Sequence, residues 1–310
     1  METKIDAARL DKPGDHLRLE ASYANDSQQI VLDLLLNEAP GGLISRSLNL
    51  PGRPDLQLMA KGSGTVSDFA ANIQLSTNGT ERLAGQVTLA AAPLSDPIPQ
   101  NEANDQAETP PRDIAFAANL AGNIDALLAP VHRPFFGPGL RLNIKGTRQG
   151  SGAVTVDTLA LRSQALQLTG AAALDAGGLL ETANLKAALT PPKDQTAVTL
   201  PLPGALTTLA AADLHLRKTA AGNWTLDGDL HQLSHPEILV QQALLGGSGT
   251  LDQRSGFALS GQLSAVLEGF EPRDASLAQA TGAQIRFDGT LSTETPGMFQ
   301  ITDMTLRGSD

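Results

Sequence analysis

The sequence contains no cysteine among its 310 residues, and aromatic residues make up only 3% of the chain. The absence of cysteine excludes disulfide bonds, thiolate catalysis and metal sites built on thiolates. It leaves the compartment open, because a reduced cytosol and an exported protein without disulfides are both compatible with it. Strands are usually rich in aromatic residues, whereas the apolar positions here are mostly Leu, Ala, Val and Ile. We therefore expect an aliphatic apolar surface.

Long hydrophobic runs are also missing. No stretch of about 18 apolar residues occurs, so the sequence predicts no membrane-spanning helix, and residues 1–15 lack the apolar core of a secretory signal. The strand pattern is still running at Thr305–Asp310. We therefore expect an interior piece of a longer exported protein, with a cytosolic protein as the alternative.

Positive charge is scarce: 22 Lys and Arg against 33 Asp and Glu give a formal net charge of −11. Nucleic-acid binding requires clustered Lys and Arg, and attachment to an anionic membrane surface requires a basic patch. The sequence therefore predicts no nucleic-acid partner. The acidic balance is otherwise typical of a solvated surface.

Alternation of apolar and polar residues is the main signal that is present, and it is clearest from Gly139 to Leu180. Leu140, Leu142 and Ile144 alternate with polar residues, Gly150–Gly152 supplies a turn, and the alternation then resumes. Successive side chains of a strand point to opposite faces. The stretch therefore predicts three or four antiparallel strands with one apolar face and one polar face.

The same pattern recurs along the chain. Gln284–Thr290 aligns with Arg141–Thr147, and a weaker copy begins at Gln57–Ser63. Short apolar stretches before the copies are interpreted as helical turns: Leu43–Leu48, Ile124–Leu128 and Ala275–Ala280. We expect Phe135 and Phe136 to close an edge or end of the sheet.

The complete pattern predicts about 17 strands, and an open sheet of more than about ten strands usually curls. The predicted fold class is all-β: an elongated, curled antiparallel sheet, or β-groove, with an aliphatic interior and a few short helical turns. Residues 93–112 stand apart, because they contain five prolines and four carboxylates. We predict an acidic, proline-rich disordered insertion there, between a β-groove section at 1–92 and a continuous section at 113–310.

No residue combination indicates a catalytic or metal site. His231 and His235 have i, i+4 spacing but lie in strand and loop context without a third ligand, and no G-x-S-x-G motif occurs. Gly246–Gly249 lacks the lysine of a phosphate-binding loop and is interpreted as a turn. No carboxylate pair stands out as an acid–base couple. We expect a protein that is not an enzyme and that needs no cofactor or metal.

Three segments resemble the TamB family of proteobacterial proteins, within the wider AsmA-like group. They are Gly52–Ala90, Leu140–Gly178 and Leu267–Ser292. The similarity extends from about Gln28 over most of the chain except the 93–112 insertion, and it rests on strand and turn patterns rather than on catalytic motifs.

The resemblance implies a periplasmic section of a protein that is anchored in the inner membrane by an N-terminal helix outside this chain. Such proteins carry phospholipid in a hydrophobic β-groove, support outer-membrane protein assembly, and pair with the outer-membrane barrel TamA through a domain that we do not place in this chain. We expect phospholipid acyl chains to contact apolar strand residues. The candidate groove residues are Leu142, Ile144, Leu161, Leu168, Leu259, Leu263, Ile285 and Leu306.

The sequence leaves other interpretations of the apolar face open. It is equally typical of the core of a closed sandwich or barrel, as in a repeat domain of an adhesin. A structural or chaperone-like sheet that binds nascent outer-membrane strands by edge pairing, without lipid transport, is the main alternative function.

Overall fold

The computed structural model of the protein describes residues 1–12, 14–92, 113–202, 204–254, 257–274, 276, 278–279, 282–295 and 298–308. The predicted insertion at 93–112 lies outside these residues, and the predicted section boundaries on either side of it stay predictions. Twenty strands in the described residues belong to an antiparallel sheet, with only short helical segments between them. The predicted all-β class is therefore confirmed.

The chain divides into two compact units. Unit 1 comprises Met1–Gly122, Leu142–Thr158 and Asp175–Gly178, and unit 2 comprises Asn123–Arg141, Leu159–Leu174 and Leu179–Asp310. Strands β8 (Pro138–Arg148) and β9 (Val154–Arg162) contribute residues to both units.

Unit 1 is built around a meander of seven strands. They are β1 (Glu2–Ala8), β2 (His16–Ala24), β3 (Gln29–Glu38), β4 (Leu56–Thr65), β5 (Asp68–Thr77), β6 (Thr80–Ala91) and β7 (Ile114–Asn123). Each strand pairs with the next in antiparallel register. Asn78 and Gly79, predicted as a hairpin turn, both have positive φ, as a type I′ turn requires.

The register collects the apolar residues of unit 1 on one face, because residues directly opposite each other in paired strands share a face. One row across β1 to β6 consists of Ala7, Leu17, Leu36, Leu58, Leu75 and Leu83. The next row consists of Ile5, Leu19, Leu34, Ala60, Ile73 and Gly85. We call this surface the apolar face of unit 1.

A buried carboxylate fixes the first helical turn, α1 (Leu43–Ser47), at one end of this face. Glu38 is only 5% exposed, and its carboxylate accepts hydrogen bonds from the backbone N–H groups of Ile44 at 2.6 Å and Ser45 at 2.8 Å. It thereby satisfies two of the donors that a helix leaves unpaired at its start. The helical interpretation of Leu43–Leu48 is confirmed.

Besides its parts of β8 and β9, the described residues of unit 2 form eight main strands and three strands of two residues. Their bounds are β10 (Leu166–Leu174), β11 (Leu180–Leu189), β12 (Val198–Thr199), β13 (Thr208–Leu209), β14 (Ala211–Lys218), β15 (Asn223–His235), β16 (Ile238–Asp252), β17 (Ala258–Glu268), β18 (Glu271–Pro272), β19 (Gln284–Thr295) and β20 (Met298–Gly308). The main strands pair antiparallel in the order β10–β11–β14–β15–β16–β17–β19–β20. Strands β11 and β14 pair directly, although the short strands β12 and β13 lie between them in the sequence.

Short helical segments also occur in unit 2. The stretch predicted at Ile124–Leu128 contains a 3₁₀ turn at Asp125–Leu127, and a second 3₁₀ turn at Pro130–His132 leads into α2 (Arg133–Phe136). In the stretch predicted at Ala275–Ala280, Ser276, Ala278 and Gln279 are helical, and the remaining residues lie outside those described.

The prediction of a turn at Gly246–Gly249 is wrong, because these residues lie inside the long strand β16. The glycines make room for an aromatic side chain from the neighbouring strand. A Cβ atom on Gly247 would lie 2.9 Å from Trp224, and one on Gly261, in β17, would lie 2.5 Å from the same indole. Gly247 and Gly261 therefore leave the space that the Trp224 indole occupies.

Candidate functional site

The apolar face of unit 2 is the candidate functional site. We number its rows of register partners from the end near Leu166, whose first row is described below. The second row, from β10 to β20, consists of Leu168, Ala187, Leu214, Gly228, Leu245, Ala265, Phe287 and Leu306. The third row, from β10 to β19, consists of Gly170, Leu185, Leu216, Leu226, Gly247, Leu263 and Gly289. Eight strands at about 4.8 Å spacing give the face a width of about 34 Å.

The opposite face of the same strands is polar. One of its rows consists of Thr169, Lys186, His215 and Asp227. His215 lies 2.7 Å from the amide oxygen of Asn184, and Arg217 forms an ion pair with Asp227 at 3.3 Å. A shallow cavity of about 560 Å³ opens near these charges. The alternation in the sequence therefore becomes a separation of apolar and polar character between the two faces.

One end of the apolar face is closed by a hydrophobic core. The first row contains Leu166, Leu189, Ala212, Leu230, Ala243, Leu267 and Ile285. Residues outside the main strands cover it: Phe135 and Phe136 of α2, Val198 of β12, Leu209 of β13, and Phe270. This arrangement confirms the prediction that Phe135 and Phe136 close an end of the sheet.

In its second and third rows the face is only partly buried. Ile285 is 2% exposed in the first row, whereas Leu216 in the third row is 37% exposed and Leu306 in the second row is 59% exposed. The remaining leucines of these two rows are half-buried. An accessible aliphatic surface of this kind marks a binding site for a ligand or partner in many proteins.

The eight predicted groove residues lie in six strands, which are β8, β9, β10, β17, β19 and β20. Leu168 (β10), Leu259 and Leu263 (β17), Ile285 (β19) and Leu306 (β20) share the apolar face of unit 2. Ile285 belongs to its buried end and Leu306 to its outer strand.

The other three candidates lie in β8 and β9. Leu142 and Ile144 lie two positions apart in β8, on the same side as Gly146, where an added Cβ would meet Phe116 of unit 1 at 2.6 Å. Phe116 belongs to the apolar face of unit 1, because it is the register partner of Leu89. Leu161 is a half-buried residue of β9 in unit 2.

Sequence reasoning missed two residues of the unit 2 face, Lys218 and Trp224. They are direct register partners, on β14 and β15, in a fourth row that also contains Ala172, Ala183, Gly249 and Gly261. Lys218 is 8% exposed and so is Trp224, whose indole N–H donates to the carbonyl oxygen of Ser260 at 3.2 Å. The signal was available, because Lys218 follows Leu214 and Leu216 at the alternating spacing of the apolar face.

The histidine pair lies in strand β15 rather than on a helix. The Nε2 atom of His231 is 3.2 Å from a carboxylate oxygen of Asp229, and His235 Nδ1 accepts a hydrogen bond from the backbone N–H of Glu237 at 3.3 Å. Among the described residues, no group of three or more His, Asp or Glu side chains is placed to hold a metal ion.

Exposed ion pairs of unit 1 shift the pKa values of their members. For example, a hydrogen bond from the Arg9 guanidinium lowers the pKa of Asp11. None of the helices in the described ranges combines the length and the apolar character needed to cross a membrane.

Comparisons of the chain with protein-family models, with curated proteins and with solved structures find no match. The resemblance to the TamB family therefore rests on the three sequence segments quoted above and on their strand-and-turn pattern.

Proposed function

We propose that the chain is a section of a TamB-like periplasmic protein whose apolar sheet faces carry phospholipid acyl chains between the inner and outer membranes. The observation that carries the proposal is the continuous, partly exposed apolar face of unit 2, which spans eight strands and has polar side chains behind it. The apolar face of unit 1 has the same construction.

The chemistry of the face suits an acyl chain. Each methylene that leaves water for an apolar surface contributes about 0.8 kcal/mol, so a chain of many methylenes binds without any polar contact. The face is about 34 Å wide, and one leaflet of a bilayer is about 15 Å thick in its hydrocarbon part. Rows of Leu, Ala and Gly offer similar contacts at neighbouring positions, which favours movement of a chain along the surface over capture at one point.

The wider role follows from the resemblance and is part of the same proposal. A TamB-like section would act within an inner-membrane-anchored protein, support outer-membrane protein assembly and communicate with the barrel TamA through other parts of the protein. None of this requires catalysis, and we propose no enzymatic activity.

Crosslinking to a phospholipid with a photoreactive acyl chain tests the proposal. We expect Leu168→Asp to reduce crosslinking about tenfold, because a carboxylate in the second row would have to lose its water on contact with the chain. The matched control is Gln167→Asp, which places the same charge on the exposed polar face one residue away. Equal crosslinking of the two folded variants would contradict the proposal.

A second function is favoured by one observation at strand β20. In the described part of the chain β20 pairs with β19 only, and its Phe299, Ile301, Met304 and Leu306 are all at least 43% exposed. An apolar strand at a sheet edge is a template for another strand. The alternative is therefore a chaperone-like sheet that receives nascent outer-membrane strands by edge pairing.

Capture of a synthetic peptide with the sequence of an outer-membrane barrel strand tests this alternative. We expect Ile301→Lys combined with Met304→Lys to abolish capture, because charges on an edge strand oppose edge pairing. The control Ile5→Lys lies on β1, which already carries Glu2, Lys4 and Asp6, and it should leave capture unchanged. Capture that is insensitive to the β20 lysines would eliminate the edge-pairing function and leave lipid binding untouched.

A further inference from the structure

Lys218 places a positive charge on the apolar face of unit 2. Its register partners are Ala183 on β11 and Trp224 on β15, and Leu216 precedes it on the same face of β14. The side chain is 8% exposed. Its ammonium group donates hydrogen bonds to the backbone carbonyl oxygens of Glu181 at 3.0 Å and Thr219 at 3.5 Å.

No carboxylate of the described residues lies within ion-pair distance of this ammonium group, in contrast to Lys61, which pairs with Asp33 at 3.0 Å. Buried lysines are rare, and those that occur are usually paired, because an ammonium group loses much of its hydration on burial. Two carbonyl oxygens supply hydrogen bonds but no counter-charge. The third N–H of the ammonium group and its full charge are therefore left for an anion.

The position of the charge suggests which anion. Glu181 and Thr219 lie at the turn ends of β11 and β14, opposite the end that Phe135 and Phe136 close. Leu216, the next residue inward on this face, is 37% exposed. An amphiphile with its chain over Leu216 and Leu185 would bring its head group to the ammonium group at the turn end.

We propose that Lys218 binds the anionic head group of an amphiphile, in particular a phosphate ester, whose acyl chain lies on the apolar face of unit 2. This inference rests on the proposed lipid-binding function and adds a preference among lipids to it. The chain as a whole has a formal charge of −11 and therefore repels anions. A buried, uncompensated lysine is the local feature that offsets this repulsion.

The tryptophan of the chain is a built-in reporter, since Trp224 is the only one and is the register partner of Lys218. Its emission can be followed during titration with dodecyl phosphate, with dodecyl maltoside, which has an equal chain and a neutral head group, and with inorganic phosphate. All are used below micelle formation. We expect dodecyl phosphate to bind about tenfold more tightly than the maltoside, because a hydrogen bond to a charged group is worth at least a factor of about ten.

Two substitutions separate charge from structure. Lys218→Gln keeps N–H donors for the two carbonyl oxygens but removes the charge, so it should abolish the preference for dodecyl phosphate and keep the affinity for the maltoside. Lys218→Arg keeps the charge and should keep the preference. The matched control Lys186→Gln removes a charge from the polar face of the adjacent strand β11 and should change neither affinity.

Each outcome decides between the proposals. Equal binding of the two amphiphiles by the wild type, or a preference that survives in Lys218→Gln, overturns the head-group site and leaves lipid binding standing. Tight binding of inorganic phosphate alone also overturns it, since the anion would then need no acyl chain. Failure of every amphiphile to change Trp224 emission also overturns the head-group site, and crosslinking at Leu168 then decides separately whether the face binds lipid. If Lys218→Gln does not fold, the wild type and Lys218→Arg still decide, because absence of the preference in either one overturns the inference.

Discussion

Replacing Ile285 with Asp is expected to unfold unit 2 or to destabilise it by about 4 kcal/mol or more, since a buried unpaired charge is among the most damaging single changes. Ile285 is 2% exposed and packs with Val240, Ala243 and Phe270 at the closed end of the apolar face. A carboxylate there would have neither water nor a positive partner among these neighbours. Domains are usually stable by about 5–15 kcal/mol, so the loss takes most or all of the available stability.

Denaturant unfolding followed by Trp224 emission measures this effect, because the tryptophan lies in the same unit. Ile285→Val is the matched control and should cost only about 1 kcal/mol, the usual effect of removing one buried methylene. Leu306→Asp puts the same carboxylate on the same face where the side chain is 59% exposed, and it should scarcely change stability. Equal destabilisation by the two aspartates would show that the face has no distinct closed end.

This pair of aspartates also has a functional meaning. The predicted groove residues are not equivalent, because Ile285 contributes to the core that holds the strands together and Leu306 to the surface that remains accessible. Loss of lipid binding in Ile285→Asp would therefore report unfolding. Tests of the proposed function belong at half-buried positions such as Leu168 and Leu263.

Sequence reasoning identified the apolar face because strand alternation is a local property. Leu263 and Leu259 lie on one side of β17 wherever that strand pairs, so their common face follows from their spacing alone. Register needs more than local information. The sequence could not show that β11 pairs with β14 across the connection that contains β12 and β13, since this depends on contacts between distant residues.

The missed features have separate physical causes. Strand β1 is missed because only Ile5 and Ala7 alternate with Glu2, Lys4 and Asp6, and so short a pattern does not mark a strand. Lys218 was missed because charged residues are expected on the polar face. The glycines at 246, 247 and 249 indicate a turn in isolation. Contacts with other strands explain why a strand continues through them, because a Cβ on Gly247 would meet the Trp224 indole and one on Gly249 would meet the backbone of Ser260.

Gly261→Ala is expected to destabilise unit 2 by about 3 kcal/mol, at the upper end of the range for overpacked sites. The new Cβ would overlap the carbonyl oxygen of Ser248 and would lie 2.5 Å from the Trp224 ring. Gly249 and Gly261 are register partners, so the backbone of β16 cannot move away without disturbing this pairing. Either the strands separate locally or the indole leaves its position.

The emission of Trp224 distinguishes these responses from a neutral change, because an indole displaced into water emits at longer wavelength. Gly246→Ala is the matched control: its Cβ would meet only the hydroxyl oxygen of Ser264, at 2.8 Å, and that side chain can rotate. We expect less than about 1 kcal/mol of destabilisation there and an unchanged emission maximum. An equally small effect at Gly261 would mean that Trp224 does not lie over the glycines. The explanation of the glycine run, and the use of Trp224 as a reporter for the Lys218 site, would then both fail, since both depend on this position of the indole.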